Sequence, residues 1–261
     1  MRDRSSLPVA RPEPPQPRAD GTAGYYPIFV QMEGRRVLLV GGGNVALEKI
    51  GKLVDAGAAI TVVAPELIPA VRAHIDDGAA EWRPRRYERG DVDDFEVVMV
   101  ATDDGAVNST VAAEARAQGI WVNAADDASN CDFILPSLAK RGTIAIAAST
   151  GGSSPALARW LRERLEEFLS DEVVALGDLL AAVREEARAR DRACAAGCER
   201  TRVPPPLLCS GCPNRIPAER WQEAIDDPLI ALLRAGDHAG ARARLVEALG
   251  IDQPLFATVR S

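Results

Sequence analysis

The chain predicts an α/β protein whose first half is a parallel, doubly wound sheet, and three observations carry that expectation. Apolar runs of strand length, Val37 to Val40, Ala59 to Ala64, FEVVMVA ending at Ala101 and Ile120 to Asn123, alternate with segments of helical pattern. The first run breaks into three glycines and restarts with helix-forming residues, in RRVLLVGGGNVA from Arg35 to Ala46. Beyond Pro155 strand-like runs cease and apolar positions recur at helical spacing, so the second half reads as a smaller strand and helix region followed by a helical cluster.

Met1 to Gly24 holds five prolines and four arginines with few apolar residues, and is expected to be a disordered tail. Tyr25 to Val30 is the first segment able to pack, ahead of a turn at Gly34. Val37 to Val40 then reads as a strand buried on both faces, and the glycines after it fit Gly41-x-Gly43-x-x-Ala46, the dinucleotide fingerprint in its alanine-ending form. A pyrophosphate must approach the backbone at a helix N-terminus, where free N–H groups and the helix dipole favour an anion. Gly43 leaves room for that approach, Asn44 and Val45 open the helix, and Ala46 lets helix and strand pack closely.

The helix from Val45 to Ala56 is closed by Gly57, and Ala59 to Ala64 is the second strand. Pro65 and Glu66 follow, with Glu66 near the usual distance of about 20 residues for an acid that binds the ribose, which favours NAD over NADP. Pro65 to Asp77 contains a short helix, Ala80 to Tyr87 a strand with alternating arginines, and Asp91 to Ala101 the next buried strand, ending in Thr102-Asp103-Asp104. Val107 to Gln118 is helical, and Ile120 to Asn123 leads into Ala124 to Asp132. Ligands of such sheets bind beyond the carboxyl ends of the strands, which places Gly41 to Val45, Pro65-Glu66, Thr102-Asp103 and the loop after Asn123 on one rim.

Phe133 to Leu138 and Thr143 to Ala148 are strand-like, and Ser149-Thr150-Gly151-Gly152-Ser153-Ser154-Pro155 opens a helix through Leu169. Ser154 suits the N-cap and Pro155 the first helical position. The loop is either a second set of N–H donors for carboxylates or a well-capped helix start. Asp171 to Arg192 carries an apolar stripe that is core or a dimer face, and Pro217 to Gly250 is a further helical cluster.

At 26% charged and 47% hydrophobic residues over 261, the composition is that of an ordinary soluble protein. No apolar run is long enough to span a membrane, and a cytoplasmic location is expected. A net charge of −7 speaks against a nucleic-acid partner.

Several motifs in order resemble one family. YYPIFVQMEGRRVLLVGGGNVALEKIGKLVDAGAAITVVAPEL, VMVATDD, WVNAADD and CDFILPSLAKRGTIAIAASTGGSSPALARWLRERLE are similar to the precorrin-2 dehydrogenase module of sirohaem synthases, over about Tyr25 to Arg190. PAERWQEAIDDPLIALLRAGDHAGARARLVEAL resembles the family's C-terminal helical region, and the resemblance is to the stand-alone form without a methyltransferase domain. It implies a Rossmann-like NAD-binding domain (residues 25–132), a dimerisation and substrate region (133–192), a C-terminal helical domain (217–261) and a homodimer. The implied reaction is NAD-dependent oxidation of precorrin-2 to sirohydrochlorin and, in some members, insertion of Fe²⁺ as a second substrate. Asp126, in NAAD, matches the family's essential acid/base; its alternative reading is a solvated loop acid or cap, and Asp127 beside it fits either role. A polycarboxylate tetrapyrrole gives Ser149 to Ser154 a purpose, with Lys49, Arg141 and Arg159 as candidate counter-charges.

One segment departs from that pattern. Residues 193–216 contain Cys194, Cys198, Cys209 and Cys212 in the spacing C-x3-C-x10-C-x2-C, which suits a structural tetrahedral zinc; an iron–sulfur cluster is the alternative, and unliganded thiols the remainder. Cys131 lies outside this cluster. The only histidines, His74 and His238, fall in predicted helices and offer a chelatase little. The competing reading is a non-catalytic NAD- or tetrapyrrole-binding regulator that senses metal through the cysteines.

Overall fold

The computed structural model describes residues 24–125, 130–196, 212 and 214–253. The Met1 to Gly24 tail, except Gly24, therefore lies outside the described residues. The chain forms two compact units that divide after Leu135.

The first unit is a parallel five-stranded sheet in the order β3-β2-β1-β4-β5, made of β1 (Arg36–Val40), β2 (Ala59–Val63), β3 (Ala80–Arg83), β4 (Val97–Val100) and β5 (Trp121–Ala124). Every connection is a crossover, and α1 (Asn44–Asp55), α2 (Pro69–Asp76) and α3 (Gly105–Ala117) supply the helices. The central strands are apolar on both faces because both faces are covered. Val37 and Leu39 pack with Ala46, Ile50 and Leu53 of α1, while Leu38 and Val40 pack with Val111, Ala112 and Ala115 of α3. In α1 the buried positions Ala46, Lys49, Ile50 and Leu53 recur at three- and four-residue spacing, so one stripe faces the sheet.

Two expected strands are shorter than their patterns. The alternating arginines after Ala80 do not extend β3 to Tyr87: the strand stops at Arg83, and Arg83 and Arg85 converge on Asp91, whose Oδ1 accepts from Arg83 Nη1 at 3.2 Å and Arg85 Nη2 at 2.6 Å. The Arg85 hydrogen bond, helped by Glu88 N–H and both arginine charges, holds the Asp91 carboxyl below the usual range against the opposing effect of burial. Phe133 likewise does not begin a strand; it packs on the core of the first unit, and the next strand starts at Ser137.

The second unit opens with an antiparallel pair, β6 (Ser137–Arg141) and β7 (Ile144–Ala148), then α4 (Pro155–Phe168) and α5 (Asp171–Ala196). The short helices α6 (Ala218–Glu223), α7 (Asp227–Arg234) and α8 (His238–Leu249) enclose a core of Val183, Leu229, Leu233, Leu245 and Leu249. Asp226 caps α7 by accepting from Leu229 N at 2.9 Å and pairs with Arg244 of α8. No described helix is long and apolar enough to cross a membrane.

Candidate cofactor and substrate site

The glycine-rich turn between β1 and α1 is the best-defined part of the site, and its three glycines do different work. A Cβ on Gly41, at φ +120°, stands 2.2 Å from the Ala101 carbonyl oxygen, and one on Gly42 stands 2.2 Å from the Glu66 carbonyl oxygen. Both are required by the fold, because the β4 and β2 ends press against them. Gly41 N donates to Val63 O at 2.9 Å and Ile68 N to Gly42 O at 2.9 Å, stitching the ends of β1 and β2 together. Gly43 is different: a Cβ there meets nothing within 4 Å, and its φ of −94° suits any residue.

Gly43 is also the N-cap of α1, and no side chain caps that helix. The first N–H groups of a helix, here those of Asn44, Val45 and Ala46, have no intrahelical acceptor. By contrast Asp104 caps α3 through Ala106 N at 2.9 Å and Val107 N at 3.2 Å. Donors and open space thus coincide at the start of α1, which fits the pyrophosphate of a dinucleotide.

The sheet brings the predicted rim together on this side. Pro65 and the exposed Glu66 follow β2 where its backbone packs on Gly42, and Ala101 and Thr102 follow β4 where they pack on Gly41. Thr102 is pinned by the buried Asn108, which takes its hydroxyl at 2.5 Å and donates to its carbonyl at 3.0 Å. Asp103 is exposed.

The loop after β5 carries the predicted base, Asp126, which with Asp127 lies outside the described residues. Both flanks of that segment are tethered. Ala125 N donates to Val100 O at 2.9 Å, and beyond the segment Cys131 Sγ accepts from Ala124 N at 3.2 Å and donates to Ala124 O at 3.0 Å. Asp132 accepts from Val122 N at 3.1 Å and pairs with Arg116 at 3.2 Å. Asn123, 6% exposed, donates to Phe133 O at 2.9 Å and accepts from Lys49 Nζ at 2.9 Å.

Several predicted substrate residues are engaged by partners within the chain. Lys49 is 7% exposed and turns to Asn123 inside the first unit, so it is no solvent-facing counter-charge. Arg141 is a clamp: it donates to Leu169 O at 2.7 Å and pairs with Asp171. Arg159 pairs with Glu163 along α4. The Ser149 to Ser154 turn satisfies most of its own donors, and of its two readings the capped helix start accounts for them. Gly151 N reaches Ser149 Oγ at 3.1 Å, Ser153 N and Oγ reach Thr150 O at 3.1 and 2.7 Å, and Ser154 N reaches Thr150 Oγ1 at 3.2 Å. Ser154 Oγ caps α4 through Leu157 N at 3.2 Å, as expected, and Gly152 N–H remains uncommitted among the described residues.

Asn123 and Asn108 were not among the sequence candidates. The signal for Asn123 is a lone amide in an otherwise apolar strand, WVNA, where burial demands a partner. Of the cysteine cluster, Cys194 and Cys212 are described, and Cys198 and Cys209 lie outside the described residues.

Fold and turn define an α/β protein with a dinucleotide-binding half, and comparison with known proteins narrows the class. Residues 28–137 match the family model "Putative NAD(P)-binding", and residues 141–167 match "Sirohaem biosynthesis protein central". The siroheme synthase of Methylococcus capsulatus is 43% identical over 164 residues, covering 63% of this chain and 35% of that protein. That of Chromobacterium violaceum is 36% identical over 223 residues, covering 85% and 43%. The solved structure titled "SirC, precorrin-2 dehydrogenase" superposes with a TM-score of 0.62 at 25% identity, covering 85% of this chain and 100% of that one. The chain belongs to the family of the precorrin-2 dehydrogenase module of sirohaem synthases, and it spans less than half the length of the siroheme synthases it matches.

Proposed function

We propose that the chain is an NAD-dependent dehydrogenase that oxidises precorrin-2, a polycarboxylate tetrapyrrole, to sirohydrochlorin. The observation that carries this reading is the uncapped, open start of α1 at Gly43, beside two glycines that the fold itself requires. Bound NAD⁺ supplies the hydride acceptor. The chain holds its pyrophosphate with the first N–H groups of α1, and Glu66 accepts from the ribose hydroxyls, where a 2′-phosphate is repelled. Precorrin-2 would give up two hydrogens, a hydride for which the bound cofactor would be the acceptor and a proton that the Asp126 carboxylate would take and return to water. Support for that role is the NAAD motif and the tethering of both flanking segments at the carboxyl end of the sheet.

Substrate carboxylates are assigned to the Ser149 to Ser154 turn, with Gly152 N–H as donor. A homodimer completes the reading: α4 has no buried residue, and Leu157, Trp160 and Phe168 are 47%, 51% and 62% exposed in the single chain. The setting is cytoplasmic, with neither membrane nor nucleic acid as partner. Zinc at the cysteine segment enters as a structural ion, outside the hydride transfer.

The test is anaerobic incubation of the pure chain with precorrin-2 and NAD⁺, following sirohydrochlorin by absorbance, then addition of ferrous iron. Sirohydrochlorin is expected to form, and Asp126→Ala to lose turnover while keeping NAD⁺ affinity. Faster iron insertion in the second step makes Fe²⁺ a substrate as well. A folded, NAD⁺-bound chain that forms no sirohydrochlorin is a regulator and overturns the proposal.

A further inference from the structure

Helix α3 buries one stripe, Asn108, Val111, Ala112 and Ala115, at the spacing of a helical face. Val111, Ala112 and Ala115 pack in the core with Leu38 and Val40 of β1. Asn108, 8% exposed, is the polar member of that stripe. Asparagine is a poor helix former and costs free energy to bury, so packing alone favours leucine at this position.

The start of the helix does not need the Asn108 amide either, because Asp104 already caps it through Ala106 N and Val107 N. Both ends of the amide go instead to one residue outside the helix. Oδ1 accepts the Thr102 hydroxyl at 2.5 Å, and Nδ2 donates to the Thr102 carbonyl at 3.0 Å. Together these bonds fix the side-chain rotamer of Thr102 and the peptide that follows it. They also commit the hydroxyl proton, so Oγ1 is left as an acceptor, and Asp104 N–H donates to it at 3.3 Å. Thr102 follows Ala101, whose carbonyl oxygen is the atom that a Cβ on Gly41 would strike. What Asn108 holds is therefore the chain beside the glycine turn, beyond the carboxyl end of β4, where such sheets bind their ligands. The N–H groups of Thr102 and Asp103 there have no acceptor among the described residues.

We infer that Asn108 is a positioning residue for the dinucleotide. It is buried behind Thr102 and acts through it, holding the Thr102 and Asp103 backbone where the cofactor meets the rim beyond β4. The inference rests on the NAD⁺ site of the proposed function and adds the side chain that sets one wall of it. Without the amide, the Thr102 hydroxyl is free to turn to another acceptor, such as the Asp104 carbonyl at 3.3 Å, and cofactor binding then has to order the turn again.

The test is calorimetric titration of the full chain with NAD⁺, in the absence of precorrin-2, for wild type, Asn108→Leu, Thr102→Val, the Asn108→Leu/Thr102→Val double variant and Val111→Ala. Val111 lies on the same stripe and is fully buried, so its truncation lowers the melting temperature without removing a bond to Thr102. Asn108→Leu is expected to weaken NAD⁺ binding roughly five- to tenfold, the worth of about one hydrogen bond. Val111→Ala binds within about twofold of wild type despite melting lower, and the double variant binds within about twofold of its weaker parent, because both substitutions break the same contact. In turnover with precorrin-2, Asn108→Leu raises KM for NAD⁺ by the factor seen in the titration and leaves kcat at saturating NAD⁺ unchanged. Three results overturn the inference: wild-type affinity in a folded Asn108→Leu chain, an equal loss of affinity in Val111→Ala, or losses that multiply in the double variant. A wild-type chain that binds no NAD⁺ overturns the proposed cofactor and this inference with it, whereas those three results leave the cofactor standing.

Discussion

Replacing Gly43 by serine separates the cofactor's demand on the glycine turn from the fold's. The position has φ −94° and ψ −162°, with no atom within 4 Å of an added Cβ, so serine enters without strain. It is also a preferred N-cap, and it removes the extra freedom of glycine in the unfolded chain, a gain of about 0.4–1 kcal/mol. The free protein is thus expected to melt at or above the wild-type temperature. NAD⁺ binding moves the other way. The hydroxyl takes an N–H of the first turn and the Cβ occupies the anion's approach; losing two charge-assisted hydrogen bonds at about 1.5 kcal/mol each costs about 3 kcal/mol, roughly a hundredfold in affinity. Gly42→Ala is the counterpart. Its Cβ falls 2.2 Å from Glu66 O and 2.7 Å from Leu67 Cδ2, so backbone has to move, at a cost of about 1–3 kcal/mol or more. Calorimetric titration with NAD⁺ and thermal melts of both variants decide the matter. Wild-type affinity in a folded Gly43→Ser chain refutes the cradle.

Two further predictions concern groups away from the turn. Asn123→Ala removes a buried acceptor from Lys49 and a donor from Phe133 O; a loss of about 2–3 kcal/mol is expected, a fall of roughly 5–15 °C in melting temperature, with kcat reduced and NAD⁺ affinity unchanged. Stability within about 0.5 kcal/mol of wild type rules out a role for this contact in holding the loop. For pH, the Arg244 hydrogen bond, then that of Leu229 N–H, pulls the Asp226 carboxyl down to about 2. Its folded value lies below the unfolded one of about 3.9, so its stabilisation is complete above about pH 4 and disappears as the pH falls toward about 2. The stability gap between wild type and Asp226→Asn, read by urea unfolding, is expected to be full at neutral pH and to close over that acid range; a gap that persists at pH 2 assigns the effect to something other than this charge.

The sheet was legible because its signal is local and repeated. Val37 to Val40 and Val97 to Val100 are continuous apolar runs that only a strand covered on both faces accommodates, and Gly57 and Gly119 mark the ends of the intervening helices. What misled the reading were charges whose partners lie elsewhere in the chain. Arg83 and Arg85 alternate as strand residues do, yet β3 ends at Arg83 and both side chains pair with Asp91. Lys49 resembles a solvent-facing base until Asn123, 74 residues later, meets it in the interior. The Ser149 to Ser154 turn is rich in donors by composition, and only its folded geometry shows how many are spent on the turn itself.

Burying a lysine is costly, so a fold that retains one inside its nucleotide-binding half gains something by it. One gain follows from its contact with Asn123. The described residues that follow 126–129 are fixed by side chains: Cys131 to the Ala124 backbone, Asp132 to Val122 N–H and Arg116, and Asn123 to Phe133 O. Asn123 serves this purpose only if its amide is oriented with the nitrogen toward Phe133, and an amide left to itself has two nearly equivalent orientations. The Lys49 ammonium has donors alone, so facing it forces the oxygen of Asn123 inward and the nitrogen toward the loop. Lys49 thereby selects the orientation that holds Phe133 O, and Lys49→Met, which fills the same space, is expected to speed amide hydrogen exchange around Phe133; exchange unchanged from wild type refutes the anchor.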